Sequence, residues 1–187
     1  MTLAFEIREA APADAESLCA FAWKVFTETF LEDLGCDYPE ADIATFREEA
    51  YRPELFARWS RSPDYGVWVA EAGGRYIGYA VVSPCSFDHE LAQPEHGELK
   101  WLYVSRDGQG RGVAPALLAR ALDGLTARGR TPVFLSVWSG NQRAQAFYAK
   151  HGFEKVADFK YPVGETLDDE FLMRLDRFPA LTNRETI

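Results

Sequence analysis

Apolar residues along this chain follow two rhythms, one of period two and one of period 3.6, and the changes between them mark out its elements. Ala4 to Arg8 reads as a short first strand. Pro12 suits a helix start, with Asp14 and Glu16 in the first turn, where acids complement the dipole. Leu18, Ala22, Val25, Phe26 and Phe30 continue one apolar face, which Gly35 ends. Pro39 opens a second helix with Ile43, Phe46 and Ala50 inward, and Pro53 a third through Leu55, Phe56 and Trp59. Val67 to Glu71 and Tyr76 to Val82, joined at Gly73-Gly74, read as a β-hairpin. A polar connector, Ser83 to Gly97, leads to a central strand from Leu99 to Val104. From Gly112 the period lengthens, placing Val113, Leu117, Leu118, Ala121, Leu122 and Leu125 on one helical face. Arg128-Gly129 closes that helix, and Pro132 to Val137 is a short apolar strand. Asn141 reads as an N-cap, with Ala144, Phe147 and Tyr148 on one face and Gly152 as the stop. Phe153 to Phe159 and Glu170 to Leu175 read as closing strands, followed by a loose tail from Phe178.

This order, without repeats, low-complexity tracts or a linker, predicts a single domain over residues 1–187. The 47% hydrophobic and 14% aromatic content fits a packed core. A net charge of −9 with no basic face speaks against sequence-independent nucleic-acid binding and suits a cationic small substrate. It equally suits plain acidic solubility. Three cysteines without CxxC spacing and three histidines predict neither a disulfide framework nor a metal site, and Asp88-His89-Glu90 has no ligand spacing. The start lacks a basic segment before an apolar run, and no stretch reaches membrane-spanning length, so a soluble, cytoplasmic protein is expected.

The chemistry concentrates between the central strand and its helix. A strand feeding a glycine-rich turn and then a helix leaves backbone N–H groups unpaired at the positive end of a dipole, which suits phosphate. A P-loop would require Lys and Ser/Thr where Val113 and Ala114 follow Gly112, and a dinucleotide fingerprint fails at its sixth position, Val113. The run Gln109-Gly110-Arg111-Gly112-Val113-Ala114, directly after Leu102-Tyr103-Val104, resembles the acetyl-CoA-binding motif Gln/Arg-x-x-Gly-x-Gly/Ala of the GNAT superfamily of N-acetyltransferases. Asn141-x-x-Ala144-x-x-Phe147-Tyr148-x-x-x-Gly152-Phe153 resembles the motif that follows it in the same superfamily. Phe26-Thr27-Glu28-Thr29-Phe30 and Gly164 to Arg174, with Asp168-Asp169 and Met173-Arg174, look most like the bacterial spermidine/spermine N-acetyltransferase-like group.

The resemblance covers essentially the whole chain. It implies an α/β (α+β) GNAT fold, a mixed, largely antiparallel sheet flanked by helices and splayed at its central strands. It also implies transfer of an acetyl group from acetyl-CoA to a primary amine, with no metal and with homodimers common among relatives. By the same resemblance, backbone groups of Gln109, Gly110, Arg111, Gly112, Val113 and Ala114 hold the pyrophosphate. The edge of Leu102, Tyr103 and Val104 pairs with the pantetheine, and Asn141 caps its helix and reaches the cofactor. Pro115 departs from the pattern but is tolerated in a first helical turn.

Glu98 matches the position of a catalytic glutamate in some members, and Tyr148 that of the tyrosine that protonates the departing thiolate. An exposed strand-end carboxylate and a core tyrosine are their structural alternatives. Between Glu28 and Asp42 the chain carries six acids and no Lys or Arg. Glu28, Glu32 and Asp33, with Phe30 and Tyr38, are therefore expected to wall an amine pocket, the alternative being a solvated helix end and loop. Acetylation of a protein N-terminus or lysine, or a non-catalytic acyl-CoA-binding module, are the competing functions.

Overall fold

The computed structural model describes residues 4–176, so the tail expected from Phe178 lies outside the described residues. The strands are β1 (Glu6–Glu9), β2 (Gly66–Ala72), β3 (Arg75–Pro84), β4 (Gly97–Val104), β5 (Val133–Trp138), β6 (Glu154–Val163) and β7 (Thr166–Leu175). The helices are α1 (Ala15–Phe26), α2 (Glu40–Ala50), α3 (Pro53–Arg61), α4 (Val113–Ala127) and α5 (Gln142–Lys150). The strands form one sheet in the order β1-β2-β3-β4-β5-β7-β6, antiparallel throughout except for the parallel β4–β5 pair.

Alternation sends side chains to two cores, one on each face of the sheet. Trp68, Ala70, Ala80 and Val82 pack under Leu117, Leu118, Ala121 and Leu125 of α4, while Tyr148 of α5 joins the same core. The intervening Val67, Val69, Tyr79 and Val81 meet Leu18, Ala22 and Phe26 of α1 and Phe56 and Trp59 of α3 on the other face. Helices therefore cover both faces, as the sequence predicts. Gly73 and Gly74 both take positive φ, +58° and +72°, the backbone that a two-residue hairpin turn requires.

Two elements differ from the sequence reading. The first helix does not continue regularly to Gly35, because after Phe26 it widens into a π-helical turn over Thr27–Asp33, closed by Leu34 N–H to Thr29 O at 3.0 Å. The last hairpin is longer than expected. Pro162 is tolerated because β6 is an edge strand, where a missing ladder donor faces no partner. Its turn is anchored from α2: the buried Asp42 carboxylate accepts from Glu165 N–H, Thr166 N–H and the Thr166 hydroxyl, at 3.1, 3.1 and 2.6 Å.

The feature that makes a site lies at the centre of the sheet. β4 and β5 pair only at Gly97 with Val133 and Glu98 with Phe134, then part. On its other edge β4 stays bonded to β3, with Val82 opposite Leu99 and Val81 opposite Trp101, so that Lys100 is an extra, bulged residue. A bulge bends its strand and increases its twist. It also resets the alternation, so Leu99 and Leu102, three apart, join the α4 core while Trp101 and Tyr103 turn to the α1 face.

Candidate active site

The gap between the parted strands is a cleft of about 620 Å³, large enough for a cofactor-sized ligand. Its walls are Leu99 to Val104 on one side and Ser136 to Trp138 on the other, with Tyr148 from α5 and Asn141 just before it. The glycine loop and the first residues of α4 close one end. There Gly110 and Gly112 have φ of +71° and +80°, which lets the backbone fold back with its amides turned outward. The N–H groups of Gly110 to Ala114 have no protein acceptor among the described residues. Free amides at the start of a fifteen-residue helix, beside an unpaired strand edge, fit the pyrophosphate and the amide-bearing arm of CoA.

Most of the expected cofactor residues meet here. Leu102, Tyr103, Val104, Gln109, Gly110, Gly112, Val113, Ala114 and Asn141 all line the cleft. The Arg111 side chain does not, being exposed, so only its backbone belongs to the loop. Asn141 does cap α5, accepting from Ala144 N–H at 3.0 Å. Arg143, which the motif reading passed over, donates to Gln109 Oε1 at 2.9 Å and ties the glycine loop to α5.

Tyr148 is buried between Phe147 and Phe153, packing in the core while also lining the cleft. Burial raises its pKa well above the ordinary phenol value, which keeps the proton on Oη at any working pH.

A second cavity, of about 360 Å³, adjoins the cleft on the α1 face. Phe30, Lys100, Trp101, Tyr103, Ser136 and Glu170 line both. The rest of its wall is rich in aromatic and acidic residues, including Tyr51, Phe87, Phe159, Tyr161, Asp88, Glu98 and Asp168. Both lysines on its lining are paired with carboxylates, Lys100 with Glu98 at 3.2 Å and Lys160 with Asp169 at 2.5 Å.

The acidic stretch contributes less to this cavity than expected. Phe30 and Tyr38 do line it, and the Tyr38 hydroxyl donates to Asp168 at 2.5 Å. Glu32 and Asp33 do not, because both reach outward to Arg106 at 2.8 and 2.6 Å. Glu28 lies outside both linings and pairs with Lys24 at 3.4 Å. The acids that wall the cavity come instead from β4 and β7. Glu98 is not an exposed strand-end carboxylate either, being only 3% exposed. Its Oε2 accepts from the Ser86 amide and hydroxyl at 2.8 and 2.7 Å, and its Oε1 faces Lys100.

Glu170 escaped the sequence reading. Burial, reinforced by Asp168 and opposed by a Ser136 hydrogen bond, pushes its carboxyl up to about 7. A signal existed: alternation puts Asp168, Glu170 and Leu172 on one face of β7, and Leu172 is fully buried.

Comparison with known proteins agrees with this geometry. The model of the acetyltransferase (GNAT) family matches residues 27–153. An uncharacterised N-acetyltransferase of Mycobacterium tuberculosis is 30% identical over 162 residues, covering 86% of this chain and 96% of its own. Among solved structures, the PaiA N-acetyltransferase of Thermoplasma acidophilum in complex with coenzyme A superposes with a TM-score of 0.72 at 22% identity, over 93% of this chain and 99% of that one. The yncA protein of Salmonella typhimurium, solved with its cofactor acetyl-CoA, gives 0.66 at 23% identity, over 92% and 94%. With the splayed sheet, the free loop amides and the buried tyrosine in one cleft, the chain belongs to the GNAT family of acetyl-CoA-dependent N-acetyltransferases.

Proposed function

We propose that the chain acetylates the primary amine of a small cationic acceptor such as a polyamine, in line with its resemblance to the spermidine/spermine N-acetyltransferase-like group. The observation that carries this reading is the common wall of the two cavities, which sets an acidic, aromatic chamber against the cofactor cleft at Glu170, Ser136 and Tyr103. Carboxylates attract an ammonium group, and aromatic faces hold it and the methylene chain beside it. A volume of about 360 Å³ suits a small molecule.

In this reading the amides of Gly110 to Ala114 bind the pyrophosphate, and the free edge of β4 holds the pantetheine arm. Bound acetyl-CoA supplies a thioester carbonyl open to attack and a thiolate leaving group. The protein brings amine and carbonyl together, which removes much of the entropic barrier. Tyr103, Trp101 and Phe30 screen the meeting point from water. Tyr148 holds a proton on Oη in the cleft, ready for the departing sulfur.

The test is CoA release from acetyl-CoA against spermidine, spermine, aminoglycosides, amino acids and short peptides. Turnover confined to small amines with two or more cationic centres is the expected result. Preference for peptide N-termini or lysines would move the acceptor to a protein, and tight acetyl-CoA binding without turnover would favour a binding module.

A further inference from the structure

We infer that Glu170 on β7 is the catalytic base, its Oε2 taking the proton from the acceptor ammonium where the two cavities join. The inference rests on the small-amine reading above and names the group that makes that amine reactive.

Four observations carry it. Glu170 is among the few residues that line both cavities, so it stands where an amine in one must meet a thioester in the other. Its side chain belongs to a residue only 9% exposed, and its Oε2 is buried with no hydrogen-bond partner. An unpaired buried acceptor costs the fold free energy and calls for a donor, and an ammonium N–H is one. Finally, the alternative base is committed elsewhere. Glu98 already accepts from the Ser86 amide, the Ser86 hydroxyl and the Lys100 ammonium. Taking a substrate proton there would break a charge-assisted contact.

Charged and titratable groups from several elements share the two linings with Glu170. Glu98, Lys100 and Tyr103 lie on β4, Ser136 on β5, Arg143, Tyr148 and Lys150 on α5 with His151 just past its end, Lys160 and Tyr161 on β6, Asp168 on β7, and Tyr38, Tyr51 and Asp88 between elements. Lys100 and Lys160 are held by Glu98 and Asp169, and the charge that shifts the Glu170 carboxyl is that of Asp168, a like charge. Burial and Asp168 both favour the protonated carboxyl, while Ser136 favours the ionised one, and the balance near neutrality suits a base that must both accept and release a proton.

The proton balance closes. An N–H bond of the ammonium breaks as the O–H bond forms on Glu170, and the freed lone pair attacks the thioester carbonyl. As the C–S bond breaks, Tyr148 gives its Oη proton to sulfur, and the second nitrogen proton, passed on through water, restores the tyrosine. The proton on Glu170 then leaves to solvent, so each turnover yields the amide, the thiol and one proton.

The experiment measures kcat/KM of the wild-type chain, Glu170→Gln, Glu170→Asp and Glu98→Gln between pH 5 and 10 with the best amine. Acetyl-CoA affinity is measured alongside to report an intact cleft. Glu170→Gln is expected to lose about 10²- to 10⁴-fold at pH 8, chiefly in kcat, and to lose the inflection near pH 7. Its residual activity should climb with pH as the free amine accumulates, and Glu170→Asp should regain part of the loss. Glu98→Gln should keep the inflection. A Glu170→Gln enzyme with the wild-type rate and profile, or a Glu98→Gln enzyme that loses the inflection, overturns the inference while leaving the acceptor reading intact. A wild-type chain that acetylates none of the amines overturns the acceptor reading and this inference with it.

Discussion

A buried carboxyl that titrates near neutrality has a second consequence, measurable without substrate. In the unfolded chain Glu170 titrates near its ordinary 4.5, whereas in the folded protein it does so at about 7. Between those values the folded protein holds a proton that the unfolded chain has released, so wild-type stability must fall as pH rises through the interval. Below about pH 4.5 both states are protonated and the stability is fully present; above about pH 7 both are ionised and the loss is complete. The gap, at about 1.4 kcal/mol per pH unit, comes to about 3 kcal/mol. Glu170→Gln has nearly the same shape but cannot ionise, so it escapes this loss. Urea unfolding of both proteins from pH 4 to 9, followed by tryptophan fluorescence, should show the variant gaining on the wild type by about 3 kcal/mol between pH 4.5 and 7. Beyond that the difference should level off. All other titrating groups are common to both chains and cancel in the difference. A gap that stays constant with pH, or narrows as pH rises, would refute the desolvation argument. A variant that is more stable and less active would be a stability–activity trade-off located at one side chain.

Other substitutions probe separate links of the argument. Gly112→Val forces a β-branched residue into φ +80°, at a cost of about 1–2 kcal/mol or a shift of the loop, so acetyl-CoA affinity by calorimetry should drop about tenfold or more; unchanged affinity would remove the loop from the site. Tyr148→Phe keeps the ring between Phe147 and Phe153 and deletes the proton, so kcat should fall by about 10²- to 10⁴-fold with acetyl-CoA binding retained, and an undiminished kcat would end the acid assignment. In the core, a Cβ at Gly124 would stand 2.3 Å from Cη2 of Trp68. Even after the helix-propensity gain of about 1 kcal/mol, Gly124→Ala should therefore lower unfolding free energy by about 2 kcal/mol in urea titration.

What the sequence made legible follows from how local each signal is. The Gly73-Gly74 hairpin, the period change at Gly112 and the Asn141 cap depend on residues a few positions apart, and each stands where expected. The acidic stretch was misleading because its neutralisation is distant: Arg106, 73 residues beyond Asp33, takes up Glu32 and Asp33. The π-helical turn after Phe26 has no residue-type signature, only an extra residue in the hydrogen-bonded ring. The bulge at Lys100 is equally silent. Strict alternation from Leu99 would have put Trp101 beside it under α4 and Leu102 on the opposite face.

That bulge also accounts for the different roles of two acids in one chamber. Glu98 lies just before it, where β4 still touches β5 and the connector passes close enough for Ser86 to cap the carboxylate. Beyond the bulge the strands part, and the ladder that would have filled the space is missing. Glu170 stands opposite Trp138 at the far end of β5, on the open side of that gap. Its surroundings are buried, and its Oε2 has no hydrogen-bond partner. The departure of β4 from β5 thus opens the cofactor cleft, and Glu170 stands on its lining. Straightening β4 by deleting Lys100 would therefore be expected to damage both properties together, cofactor affinity and the neutral pH inflection, and loss of one without the other would show that they arise separately.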